Sequence, residues 1–246
     1  MNPIDRLIGG YLAFVTVVIV LRGGLADSRN WWLLTAHVLF GVLLFLFSRL
    51  RESDRIGRPV HDLYPLPLLL GLYAELGVLS VQLGETATYA RDAVIQGWDQ
   101  AIFGSQVSYS WIRSTPSVFW SGLLHLAYFA YYPIVFLGPV LLVARGRNQA
   151  GRQVLFTTMI AFVVSYVVFV LYPVAGPNYA FDHPTGPVRE VWSARLVYWV
   201  LGRGSSFGAA FPSSHVAATV AAIIALYREW RPLAAGFLIP AILMVI

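Results

Sequence analysis

Apolar runs separated by short polar breaks divide this chain into segments of the length that crosses a bilayer as helix, so their order sets the architecture. The first run, Leu7–Leu21, follows Asp5 and Arg6 and is closed by Arg22. A signal peptide cleaved near Gly24, Leu25 and Ala26 would use the same run; an uncleaved helix is the preferred reading, because the topology downstream needs a crossing here. Trp31–Phe47 is a second span, opened by a tryptophan pair that suits an interface. Leu63–Leu83 is a third, with Pro65 and Pro67 near its start. From Gly84 to Thr115 the chain turns polar and aromatic, which predicts an amphipathic helix over Tyr89–Phe103 lying on the membrane surface. Val118–Val143 and Val154–Tyr172 are the fourth and fifth spans, and the Pro- and Gly-rich Tyr172–Tyr179 opens a polar loop that reaches Phe211. A sixth span begins there and ends near Leu226, and Leu233–Ile246 begins a seventh. The pattern predicts an all-α, polytopic transmembrane helical bundle of about six to seven spans, one integral membrane domain over 1–246, with an amphipathic surface helix.

Composition agrees: 58% of residues are hydrophobic and 12% charged, with mean hydropathy +0.67. Such values fit a bilayer protein and not a soluble domain. There is no cysteine, which excludes disulfides, thiol nucleophiles and thiolate metal sites. All seventeen basic residues are arginine. No nucleic-acid motif or basic tail is present, so that partner class is set aside. Five histidines occur, but with no ligand pair at helical spacing and no carboxylate cluster, so no metal and no cofactor is expected.

The arginines also orient the chain. The densest group, Arg49, Arg51, Arg55 and Arg58, belongs in the cytoplasm. Each span then reverses the side, which leaves the N-terminus and ten arginines inside and seven outside over far more residues. On this reading the protein sits in the cell membrane with its N-terminus cytoplasmic.

Candidate chemistry concentrates in Ala209-Ala210-Phe211-Pro212-Ser213-Ser214-His215, after which the chain is apolar through Leu226. This reads as the start of a helix, with Pro212 at the first helical position and serines in the first turn. Unsatisfied N–H groups and the positive end of the helix dipole would bind a phosphate there. An imidazole in that turn can hold or protonate the anion. The bland alternative is a capped helix with a surface histidine.

Phe-Pro-Ser-Ser-His at the head of a membrane helix resembles the second signature motif, Pro-Ser-Gly-His, of the type 2 phosphatidic acid phosphatase superfamily, with Ser214 where that motif has glycine. The match is nearest to the branch of inositol phosphorylceramide synthase-like proteins, which Trp98-Asp99-x-x-Ile102-Phe103-Gly104 and Gly176-Pro177-Asn178-Tyr179 also resemble. The superfamily's first motif carries a lysine and an Arg-Pro, and neither occurs here. Asn178, Tyr179 and Arg189 are left as candidate phosphate or head-group contacts by position. The resemblance implies a membrane lipid substrate, a phosphohistidine mechanism without metal, His215 as the proton donor to the leaving oxygen, and Ser213 and Ser214 as phosphate ligands. Water or an alcohol would accept the phosphoryl group.

Other residues stay open at this stage. Glu75, at mid-span, marks either a functional site or a carboxyl bonded to a neighbouring helix. His125, Tyr128 and Tyr132 share one helix face and make either a head-group pocket or helix-to-helix hydrogen bonds. His37 reads as packed or hydrogen-bonded, His183 as an exposed turn residue, and Asp99 as a structural cap. A non-enzymatic transporter or lipid-binding protein, with Glu75 and the His125 face lining a path, is the rival reading. An intramembrane serine protease fails, since Ser214 and His215 are adjacent and point apart on a helix. The superfamily's third motif, with its nucleophilic histidine, would begin at the outer end of the last span. Only 14 residues follow Pro232 against about 20 for a span, so that motif is expected beyond Ile246, and this polypeptide alone is expected to be inactive or nearly so.

Overall fold

The computed structural model describes residues 3–23, 28–50, 57–82 and 84–245, with Gly23 and Gln82 as backbone alone. Arg51, Arg55 and the cleavage site considered at 24–26 fall outside the described residues. Described elements are helical apart from one isolated bridge, and the order is α1 (Pro3–Gly23), α2 (Ser28–Ser48), α3 (Gly57–Leu63), α4 (Pro65–Gln82), α5 (Glu85–Phe103), α6 (Val107–Ser114), α7 (Val118–Phe129), α8 (Gly138–Ala144), α9 (Asn148–Leu171), α10 (Pro177–Ala180), α11 (Pro187–Glu190), α12 (Trp192–Gly204), α13 (Ser214–Glu229) and α14 (Arg231–Val245).

Among the described residues five segments are long and apolar enough to cross a membrane: 3–22, 28–48, 57–81, 118–144 and 148–171. The segments expected as sixth and seventh spans form the helices α13 and α14, of 16 and 15 residues, and neither reaches the length of those five. At 1.5 Å per residue α13 is about 24 Å long, short of a hydrocarbon core of about 30 Å. The two pack side by side, and Thr219 of α13 reaches the Met244 sulfur near the far end of α14. They are therefore antiparallel, and the end of α14 returns to the level where α13 starts.

The core is built on α9, which touches α13, α8, α1, α4 and α3. Its long apolar run puts Phe162, Tyr166 and Phe169 in the interior, where Tyr166 meets Tyr11 and Tyr73 at ring distances of 6.1 and 5.9 Å. At the opposite end Asp62 accepts from Asn148 Nδ2 at 2.6 Å and pairs with Arg152 at 3.2 Å, fastening α3 to α9.

Three elements depart from the hydropathy reading. The fourth span is not one α-helix: a π turn over Pro133–Leu137 separates α7 from α8. Pro133 and Pro139 each lack an N–H, so the regular ladder cannot run through. A Cβ on Gly138 would lie 2.8 Å from Leu226 Cδ1, and its absence lets α13 pack against this break. The loop after the fifth span holds three helices, of which α12 is amphipathic, burying Ser193, Ala194 and Val197 while exposing Trp192 and Trp199. Pro212 is not at the first helical position: it precedes Ser213, which caps α13 by accepting the Val216 N–H at 3.3 Å. A proline before the cap leaves the serine hydroxyl free to reach into the first turn.

Candidate active site

Two loops far apart in sequence are pinned together by backbone bonds. The Val174 N–H donates to the Gly208 carbonyl at 3.0 Å, and the Ala210 N–H to the Val174 carbonyl at 3.2 Å. Gly176-Pro177-Asn178 therefore leaves the end of α9 beside Phe211-Pro212-Ser213-Ser214-His215. Gly176 has φ +80°, open only to glycine at low cost, and a Cβ there would lie 2.3 Å from that of Ala210. Its N–H is held by Asp92 of α5 at 2.9 Å, a buried carboxylate that also accepts from Gln96 Nε2 at 2.5 Å. The surface helix thus braces the loop, and its Trp98 packs edge-on to Phe211 with ring centres 5.9 Å apart.

A cavity of about 450 Å³ opens beside this junction, within the range of small-molecule sites. His125, Tyr128, Asn178 and His183 line it, together with Arg113 of α6 and Tyr198 of α12. Leu243 and Met244, at the end of α14, complete the wall. A wider vestibule shares Ser108, His125, Pro184 and Tyr198 with it and is bounded by Asp99, Phe103 and Trp111. Asp99 thus faces this vestibule, under the roof formed by α5 and α6. A second cavity of about 220 Å³ is apolar and aromatic, lined among others by Tyr73, Tyr131, Phe162, Tyr166, Ser214 and His215.

His215 and Tyr128 form the join between the two cavities. His215 Nε2 is 3.3 Å from the Tyr128 hydroxyl, and its ring lies 4.3 Å from that of Tyr131. Tyr128 belongs to the wall of the larger cavity and His215 to that of the smaller, so the tyrosine hydroxyl connects the imidazole to the larger space. His125 donates from Nδ1 to the Ser121 carbonyl at 2.7 Å. That places a proton on Nδ1, and the ring lines both the cavity and the vestibule. His183 was expected as an exposed turn residue; it is half-buried instead, donating from Nε2 to the Asn178 carbonyl at 3.2 Å and packing on Tyr198.

The remaining sequence candidates divide. Ser214 is buried against His215, and Ser213 serves as the α13 cap. Tyr179 turns away from the cavity, its hydroxyl 2.7 Å from Ser205 Oγ. Arg189 acts behind the wall, with its guanidinium 5.0 Å from the centre of the Tyr198 ring. Burial pushes the Tyr198 phenol up, and Arg189 and Arg113 draw it partly back, so the hydroxyl stays a proton donor at the cavity edge. Glu75 is not brought to the head-group pocket with His125 and Tyr128. Its Oε2 is 2.8 Å from His37 Nε2, and His37 Nδ1 is 2.8 Å from Thr16 Oγ1, so the two ionisable residues of α2 and α4 answer each other. The path proposed for a transporter, from Glu75 to the His125 face, is not formed by the described cavities.

Sequence reading missed Arg113 and Tyr131. Arg113 is the one cation among the residues that line the described cavities, held by the Tyr109 carbonyl at 2.7 Å and by the Asp182 carbonyl. It sits in a short amphipathic helix of eight residues, and only the docking of that helix brings its guanidinium to the cavity. Tyr131 lies three residues beyond Tyr128, a spacing that puts both on one face.

Long apolar helices around a mostly apolar cavity that carries a few polar and aromatic groups define a membrane protein. A family model described as the PAP2 superfamily matches residues 95–246, more than half of the chain, and the protein belongs to that superfamily. Membership supports an enzyme of phosphatase type. Searches of curated proteins and of solved structures found no match.

Proposed function

We propose that the protein is a lipid phosphatase or phosphotransferase, acting on a lipid phosphate or phospholipid head group at the extracytoplasmic face. The observation that carries this reading is the joining of the Asn178 loop to the Ser213-Ser214-His215 turn beside one head-group-sized cavity. The first-turn N–H groups of α13 and the serine hydroxyls stabilise charge on the phosphoryl oxygens. Arg113 supplies the cation that the missing lysine would have given, and its planar fork suits a phosphate. His125 Nε2 accepts a hydrogen bond from a head-group hydroxyl.

In the first step an imidazole nitrogen attacks phosphorus, a P–N bond forms, and the P–O bond to the leaving group breaks. His215, which takes up a proton beside the bound phosphate anion, gives it to the leaving oxygen, directly or through Tyr128. In the second step water or an alcohol attacks the phosphohistidine, the P–N bond breaks, and the proton lost by the attacking oxygen returns to His215. The attacking imidazole is that of the family's third motif. Every step uses protein groups alone, so the proposal includes no metal and no cofactor. The arginine count of the loops supports a cytoplasmic N-terminus and a site outside, in the cell membrane.

The test is capture of the intermediate. Brief reaction with a lipid carrying ³²P in its phosphate is expected to leave acid-labile, base-stable label on the protein. His215→Gln is expected to slow both formation and loss of that label, and label of ester stability would overturn the mechanism.

A further inference from the structure

Two arginines lie ahead of the family-matched residues and away from both cavities. Arg22 closes α1 and donates from Nη1 to the Val170 carbonyl at 2.6 Å, in the last turn of α9. Arg91 of α5 sets its guanidinium over Tyr172, the C-cap of the same helix, 5.4 Å from the ring centre. Both converge on one helix end, and the charged neighbour of Arg22 is Arg91, of the same sign. Loop topology gives no reason for either, since both fall on the arginine-poor side.

The charges do not balance locally. The C-terminus of α9 offers about half a negative charge, against two full positive ones. Among the described residues no carboxylate pairs with either guanidinium. Asp92 is next in sequence to Arg91, but its two oxygens are engaged by Gly176 and Gln96. Arg91 Nη1 is buried and has no hydrogen-bond partner. A buried guanidinium nitrogen without an acceptor is costly, and such an orphan points to a water or ion at that place. Water would satisfy the hydrogen bond and leave the excess charge standing; an anion answers both.

The surroundings favour a lipid as its source. The α1 flank leading to Arg22 exposes Val17, Val20 and Leu21, an apolar strip suited to an acyl chain. Trp31 and Trp32 stand exposed at the start of α2, the next helix, and mark head-group depth. We propose that Arg22 and Arg91 bind the phosphate of an anionic membrane lipid, as a resident lipid distinct from any substrate. Through Asp92 and its bond to Gly176, this lipid braces the loop that carries Asn178.

The test is lipid retention by the purified full chain in neutral detergent, read by native mass spectrometry with phosphatidylglycerol, phosphatidylcholine and inorganic phosphate as probes. Phosphatidylglycerol is expected to bind in preference to phosphatidylcholine, and millimolar inorganic phosphate is expected not to displace it. Arg22→Gln and Arg91→Gln are each expected to weaken it by about tenfold, the loss of a charge-assisted bond. Arg91→Lys, which keeps the charge for a case where glutamine prevents folding, is expected to fall between. Equal retention by the unchanged protein and the double variant, or no preference for the anionic lipid, would overturn the proposal. Full replacement by inorganic phosphate would overturn the lipid as the source.

Discussion

Replacing Gly176 by alanine separates the two loops that make the candidate site. The cost has two parts, both set by local geometry. With φ +80° and ψ 171°, the residue occupies backbone space that side-chain-bearing residues enter at about 1–3 kcal/mol. The new Cβ would also lie 2.3 Å from Ala210 Cβ, so one loop must move, at about 1–3 kcal/mol for overpacking. The sum is about 2–6 kcal/mol, which lowers a melting midpoint by about 4 °C or more in a chain of this size. Gly146→Ala is the matched control, because Gly146 has φ +75° but open space where its Cβ would sit, and it carries the backbone cost alone. Tryptophan fluorescence of both variants in detergent, followed against temperature, measures the two shifts. An unchanged midpoint for Gly176→Ala, or a shift no larger than that of Gly146→Ala, would refute the contact between the loops.

Replacing His215 by alanine is expected to abolish turnover while the protein still elutes as a folded species from gel filtration. Tyr128→Phe removes the hydroxyl 3.3 Å from His215 Nε2 and is expected to lower kcat by about tenfold with little change in KM, measured by steady-state kinetics. Arg113→Gln is expected to raise KM for a phosphate-bearing lipid by about tenfold, through loss of a charge-assisted contact. Asp62→Ala removes the acceptor of the buried Asn148 amide and one partner of Arg152, and a loss of about 1–3 kcal/mol is expected in thermal or denaturant unfolding.

Hydropathy located the long crossings because lipid and protein interior both demand apolar side chains, and the run from Val154 to Tyr172 needed no tertiary knowledge. It could not locate the π turn at Pro133–Leu137, since the whole stretch is equally apolar and only backbone bonding changes there. The first turn of α13 was legible in Pro212-Ser213-Ser214-His215 from local capping chemistry, although the cap fell two residues later than the proline suggested. Arg113, Tyr198 and His183 were not legible as cavity residues, because they reach the cavity from short amphipathic helices and turns whose docking depends on tertiary contacts. Glu75 and His37 were each noticed separately, and only the packing of α2 on α4 reveals that Glu75 Oε2 pairs with His37 Nε2.

The central claim is tested most directly by phosphate release or transfer from a panel of lipid phosphates and diphosphates, with EDTA present throughout, by the full-length native protein and by its His215→Ala variant. The account predicts turnover of at least one of these lipids that the chelator leaves unchanged and that the substitution abolishes. Turnover that survives the loss of His215, or that EDTA removes, would contradict it.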